Sequence, residues 1–270
     1  MSLLYSRIGA SRQDADATAY VSAIRTAGAT VTAAQRDYIN DFIRAEKIAN
    51  RWDSIKRFYL PIWGVAAANA ICMRSLASGT FVGTVTHASG YAQGNGSTGY
   101  LNTNTDFVTQ GLTLSSGFMF ALTILDATQD FDRFLGAGIG TNESSLIHRT
   151  TPRLDCRYSN IGSGQITLAI ASNTGVAAFS RISGTRRLSV RKTAGVTSNS
   201  NTSVDTGTIP SSNMLVMAYN NANTGVTMSA ASNAQFGAVG FGLGLTSADT
   251  DAFTLAIKNL WEGTTGLTLP

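Results

Sequence analysis

Three acids fall within seven residues at Asp126, Asp130 and Asp132. Hard cations take oxygen ligands, so such a group could hold Ca²⁺ in a loop. A pair of them could also serve glycoside hydrolysis, which needs two carboxylates across a bond. No strand-borne Glu-x-Asp-x-x-Glu pattern accompanies them, and as residues they read as a solvated loop after an apolar run. Two histidines, His87 and His148, supply a nucleophile triad or a metal centre poorly. Cys72 and Cys156 sit in no CxxC and near no histidine, so zinc is not expected. No GxSxG, HExxH or phosphate-binding loop is present, and the glycine-rich run Gly136–Gly140 follows a strand pattern with no helix after it, which reads as a hairpin.

Charge is sparse and uneven. Charged residues are 13% of the 270, about half the usual share, with a net charge of +4. Of the 36 charged side chains, 15 lie in the first 60 residues, and between Thr193 and Ala248 the sole one is Asp205. Such a shift marks two modules. Arg186, Arg187, Arg191 and Lys192 form the one dense basic cluster. Without interleaved aromatics it reads as the solvated face of a strand, and nucleic acid is not an expected partner. No segment reaches the ~18 apolar residues of a membrane span, and residues 1–14 lack the apolar run of a signal peptide, so synthesis in a reducing cytoplasm is expected.

The elements that must position these groups change character along the chain. Ala17, Tyr20, Val21 and Ile24 keep helical spacing behind Asp14 and Asp16, and Gly28 ends that helix. Thr32 to Gln35 reads as a capping box. Ile39, Phe42 and Ile43 line the next helix, and Ala49, Trp52, Ile55 and Tyr59 roughly continue its face until Pro61, with a break near Asn50–Arg51 left open. Strand patterns follow at 118–125, 133–137, 165–171, 187–191, 214–219 and 236–245, separated by Gly, Asn and Ser clusters. Leu245–Asp249 resembles an N-cap with an early acid and opens a last helix. The expected organisation is a helical module at 1–64, a connector at 65–80, a two-sheet β-sandwich at 81–245, and a short C-terminal helix and tail at 246–270 packed on it.

The segment Gln93–Thr103 (QGNGSTGYLNT) holds no acid, base or thiol. It reads as a tight Gly/Asn turn running into a strand, the entry hairpin of the sandwich. Tyr91, Tyr100, Tyr158 and Tyr219, lying in or near loops, could stack on sugars, and Asn95 and Asn102 could bond them; Tyr91, Tyr100, Asn95 and Asn102 are the glycan-binding candidates. Asn199, Asn201, Asn220, Asn221 and Asn223 could add amide contacts. Tyr38, Phe42, Trp52 and Tyr59 are the candidate assembly contacts of the helical module, with core packing the favoured reading of Trp52 and Tyr59.

Three segments taken together carry a resemblance: the helical start ending in NRWDSIKRFYL at 50–60, GYAQGNGSTGYLNT at 90–103, and MLVMAYNNAN at 214–223 followed by FGAVGFGLGLT at 236–246 and a helix. In this order they resemble bacteriophage and prophage proteins with a short helical head and a concanavalin-like (laminin-G-like) jelly-roll sandwich, components of tail fibres, tail tips and head decorations. The resemblance implies a mainly β jelly roll, a non-enzymatic structural role in a virion, homo-oligomerisation and contact with other virion proteins. It brings no catalytic residue and no cofactor; Ca²⁺ at Asp126, Asp130 and Asp132 is the one cofactor reading on offer. The alternative is a lectin-like module recognising a host surface glycan. A polysaccharide depolymerase is the third reading, short of carboxylate candidates.

Overall fold

A computed structural model of the chain describes residues 13–125, 133–139, 142–149, 153–158, 165–202, 207–222, 228–229 and 231–270. Its helices are α1 (Ala15–Thr26), α2 (Ala33–Ile48), α3 (Ala66–Asn69) and α4 (Ser247–Thr265). Its strands, in chain order, are β1 (Ile55–Tyr59), β2 (Thr80–Val82), β3 (Val85–Ala88), β4 (Tyr91–Gly94), β5 (Tyr100–Asn102), β6 (Ser116–Leu125), β7 (Arg133–Ile139), β8 (Asn142–Arg149) and β9 (Arg153–Arg157). They continue with β10 (Gln165–Ala169), β11 (Gly175–Ile182), β12 (Thr185–Lys192), β13 (Gly195–Thr202), β14 (Leu215–Val216), β15 (Tyr219–Asn220), β16 (Met228–Ser229) and β17 (Gln235–Gly242).

Sheet I runs β13-β12-β11-β6-β17-β4-β3, with β1 also pairing β17. Sheet II runs β10-β9-β8-β7-β14-β5-β2, with β15 also pairing β7 and β16 pairing β15. Every pairing is antiparallel except β15 with β7. The two sheets form the mainly β sandwich that the sequence leads one to expect, with helices at both ends of the chain.

Strand β6 explains the architecture. Its SGFMFALTIL run is apolar almost throughout, as a strand must be when both its faces are covered. Met119 and Ala121 point between the sheets, where they meet Phe179, Leu188, Phe134, Leu146 and Cys156. Phe118, Phe120 and Leu122 point the other way, into a second core under the helices with Phe42, Phe253 and Ile257. The rings of Phe118 and Phe120 each stand 5.2 Å from that of Phe253, both edge-on. Burying each such side chain contributes roughly 1.5–3 kcal/mol. The helices therefore form a third layer on sheet I.

That layer begins as the sequence indicates. Asp14 caps α1, and Thr32 and Gln35 close the capping box of α2, Thr32 N–H to Gln35 Oε1 at 2.9 Å and Gln35 N–H to Thr32 Oγ1 at 3.2 Å. The expected continuation of the helical face to Tyr59 is corrected. Helix α2 stops at Ile48, Asn50 turns left-handed at φ +57°, a 3₁₀ turn covers Trp52–Ser54, and Ile55–Tyr59 are strand β1. Pairing with β17 decides this, because it satisfies the backbone groups of β1 in one step. Glycine at 240 permits it: a Cβ there would stand 2.0 Å from the Arg57 carbonyl oxygen. Sheet I thus draws a strand from the segment expected to be a helical module.

A second correction concerns the Gly/Asn turn. Strand β4 belongs to sheet I and β5 to sheet II, so the segment between them is a crossing from one sheet to the other and not a hairpin. Asn95 builds that corner, its Oδ1 accepting the N–H groups of Ser97 (3.1 Å), Thr98 (2.8 Å) and Gly99 (2.9 Å). The Gly136 segment does form the expected hairpin strands, β7 against β8.

Candidate functional site

The sandwich has two outer faces of different character. Sheet I is capped by helices. On sheet II, one register row crosses from Asn102 through Leu215, Gly136, Ser145 and Arg157 to Gln165. Strand alternation puts the neighbours of these residues two places on, Arg153, Asp155 and Glu143, on the same face, while Leu154, Cys156 and Leu146 go to the core.

The charges on this face are tied to one another. Glu143 is 2% exposed, and its Oε2 accepts from Arg157 Nη1 at 2.6 Å. Its Oε1 accepts from Ser145 Oγ at 2.6 Å and Arg133 Nη2 at 3.2 Å. Asp155 is fully buried and accepts from Arg153 Nη2 at 3.0 Å and Thr167 Oγ1 at 2.9 Å. The Arg133 guanidinium also lies over the Tyr219 ring at 4.9 Å, and the Tyr219 hydroxyl donates to the Gly138 carbonyl at 2.7 Å. Burial, with Glu143 beside it, pushes the Tyr219 phenol up to about 12. These carboxylates are committed to guanidinium partners, which suits a rigid face better than proton transfer. Sequence reading passed over Arg153, Asp155 and Arg157, although their alternation with Leu154 and Cys156 is the signal that places them together.

A concave feature lies in the helical layer. Helices α2 and α4 run side by side in opposite directions, since Gln35 donates to the Thr264 carbonyl at one end and Arg51 meets Asp249 at the other. Between them is a groove of about 700 Å³ lined by Tyr38, Asp41, Phe42, Leu255, Ala256 and Gly263 among others. Tyr38 is 47% and Leu255 43% exposed, so the groove has a half-open apolar floor.

The structure sorts the candidate residues. Tyr100 and Asn102 lie on β5 at the outer face of sheet II, and Tyr100 is packed there against Leu215, Ala218 and Ala231. Tyr91 is on β4 of sheet I and Asn95 in the crossing turn, so the four glycan candidates do not converge. Tyr158 is buried between the sheets and Tyr219 is held as above, so neither is a loop platform. Asn199 donates to the Thr167 carbonyl at 2.8 Å, and Asn220 is buried. Of the assembly candidates, Tyr38 lines the groove at the surface, Phe42 closes its floor, and Trp52 and Tyr59 are core side chains that offer no surface to a partner. Asp126, Asp130, Asp132 and Asn223 lie outside the described residues. Both cysteines are buried free thiols. The basic cluster is corrected from a solvated face: Arg186 is buried, and Arg187 and Arg191 grip helix α4. Among the described residues no helix is long and apolar enough to cross a membrane.

No protein-family model matches the sequence, and no curated protein matches it. Solved structures do resemble the fold. A mutant of Trypanosoma rangeli sialidase displaying trans-sialidase activity matches at a TM-score of 0.51 and 11% identity, over 83% of this chain and 39% of that one. The Ruminococcus gnavus IT-sialidase CBM40 bound to alpha2,3 sialyllactose matches at 0.36 and 12% identity, over 56% of this chain and 91% of that one. This chain therefore spans well under half the length of the trypanosomal enzyme it resembles. At 11% identity the likeness to the trypanosomal sialidase shows a shared β-sandwich architecture alone.

Proposed function

We propose that the chain is a non-enzymatic structural component of a bacteriophage particle, held through its helical layer and presenting the outer face of sheet II. The observation that carries this reading is the asymmetry of the sandwich. One sheet is roofed by helices that leave a half-open apolar groove, and the other bears a face of mutually paired charges. The resemblance of the three sequence segments to virion proteins supplies the setting. Tyr38 in the groove is the assembly contact, with other virion proteins or further copies of the chain as partners. Mass spectrometry of purified particles, with antibody labelling of intact ones, tests the reading. Absence of the protein from particles, together with a lone monomer in sedimentation, would sink it.

A second reading is favoured by one observation. Asn102, Arg157, Gln165, Arg153 and Thr167 place partly exposed amide, guanidinium and hydroxyl groups along one sheet face. Such rows suit sugar hydroxyls, and would make this face a lectin-like surface for a host glycan. A dense glycan array probed with and without Ca²⁺ tests it, and a blank array removes it while leaving the structural role intact.

A further inference from the structure

We propose that β13 of one copy of the chain pairs antiparallel with β13 of a second copy, joining their two sheets I edge to edge. The strands that end the two sheet paths are β13 and β3 in sheet I, and β10 and β2 in sheet II. Folded proteins blunt such edges with short strands, charges, proline, bulges or covering groups, because an edge presents unpaired N–H and C=O groups. Strands β2 and β3 are three and four residues long. Strand β10 has its Thr167 carbonyl taken by the Asn199 side chain at 2.8 Å. Strand β13 has none of these protections. Its eight residues, GVTSNSNT, hold no charge and no proline, and six of them are exposed. It pairs with β12 from Gly195 to Thr202 without a register shift. Every second residue therefore turns its N–H and C=O away from β12. Among the described residues no strand meets those groups.

What suits this edge is an uncharged extended segment of similar length, and β13 is itself one. Two copies related by a two-fold axis normal to the sheet oppose residues whose side chains share a face. With Asn199 on the axis, Ser198 opposes Ser200 of the partner subunit, and Thr197 opposes Asn201 of the partner subunit. At the ends, Val196 opposes Thr202 of the partner subunit. Hydroxyl pairs of this kind are favourable across antiparallel strands. The register leaves Gly195, at φ +144°, outside the overlap. No like charges meet along it. Lys192 pairs with Gly195, beyond the overlap, and Arg187 and Arg191 are bound to α4. The contact is separate from the groove between α2 and α4, whose lining comes from those two helices.

Sedimentation velocity of the full chain at rising concentration should show a monomer–dimer equilibrium. Val196→Lys with Thr202→Lys sets lysine against lysine at both ends of the pairing and should weaken the dimer roughly tenfold. Val196→Lys with Thr202→Glu sets opposite charges there and should restore it. Asn199→Cys, under mild oxidation, should give a disulfide-linked dimer, since opposed Cα atoms stand about 4.5–5.5 Å apart, within disulfide reach. Thr202→Cys should not, because the two copies of that residue lie about 20 Å apart. The native cysteines are buried and do not compete. Val196, Asn199 and Thr202 are all exposed, so these variants keep the fold. Tyr38→Asp, in the groove, should leave the dimer intact. A monomeric wild type, equal weakening by both double variants, or a dimer indifferent to the two lysines would each overturn the proposal. So would equal cross-linking at 199 and 202, or loss of the dimer with Tyr38→Asp. Such a failure leaves the virion role standing, because particle labelling reads that separately.

Discussion

Arg187 on β12 holds both carboxylate oxygens of Asp251 on α4, Nε reaching Oδ1 at 3.2 Å and Nη2 reaching Oδ2. Ser189 Oγ donates to the same Oδ1 at 2.7 Å, and Arg191 reaches the Asp251 carbonyl and the Thr254 hydroxyl, each at 3.0 Å. Three alternate residues of one strand thus clasp one turn of the helix. The contact is partly exposed, so its worth is discounted to about 1–2 kcal/mol. Asp251→Ala should lower the unfolding free energy by that amount, read as a lower urea midpoint with an unchanged m-value. An unmoved midpoint would mean that apolar packing alone seats α4.

Glu143, a buried acid of the sheet II face, meets an arginine at each of its two oxygens. Removing its charge leaves the guanidinium of Arg157, itself only 14% exposed, without its counter-charge. Breaking such a pair costs about 3–5 kcal/mol, whereas replacing every member together costs far less. Glu143→Gln should therefore lower the thermal midpoint strongly, and Glu143→Leu combined with Arg157→Met should recover part of the loss. Equal destabilisation by the single and double variants would show that the pair adds nothing beyond its packing.

Why some of this was legible in the sequence, and some not, follows from which forces are local. Thr32 and Gln35 announce a capping box because both partners lie within one helical turn. The apolar run at Phe118–Leu125 announces a central strand because both its faces are covered. Ile55–Tyr59 misled because Trp52, Ile55 and Tyr59 fall at helical spacing, and the partner that makes them a strand lies some 180 residues away in β17. The arginines of β12 were set down as a solvated face for the same reason: Asp251 is 64 residues from Arg187. Tyr38 and Phe42 lie one turn apart on one helix and are legible as neighbours, but the groove they line exists only once α4 lies beside it.

His87 gives a pH dependence with a definite sign. Trp63 N–H donates to Asn69 Oδ1 at 2.9 Å, which orients the Asn69 amide to donate from Nδ2 to His87 Nδ1, 3.0 Å away. His87 must then accept at Nδ1, so it is neutral with its proton on Nε2. Burial likewise holds its folded pKa below the ordinary 6.5. The unfolded chain therefore binds this proton first as pH falls, and stability rises with pH between the folded value and about 6.5. The contribution is complete above that window and is lost on acidification through it. Wild type and His87→Gln, compared by urea unfolding from pH 5 to 8, should differ by an amount that shrinks below about pH 6.5; a constant difference would show that His87 does not titrate across folding.

Asn95 offers the sharpest test of the sheet crossing. One side-chain oxygen accepts three successive N–H groups, so the turn is closed from within and needs no ligand. Its Nδ2 adds a bond to Thr98 Oγ1 at 2.9 Å. The turn carries the chain from β4 in sheet I to β5 in sheet II, and Gly99 fits there because a Cβ would stand 2.0 Å from the Thr84 carbonyl oxygen. Asn95 is exposed, so water replaces part of what is lost on truncation. Asn95→Ala should cost about 1–2 kcal/mol, and Asn95→Asp, which keeps the accepting oxygen, much less. Amide exchange read at Ser97, Thr98 and Gly99 separates this local role from a ligand role. Protection lost in the alanine variant and kept in the aspartate variant marks Asn95 as the builder of the corner. Protection unchanged in both would leave its side chain free for a glycan.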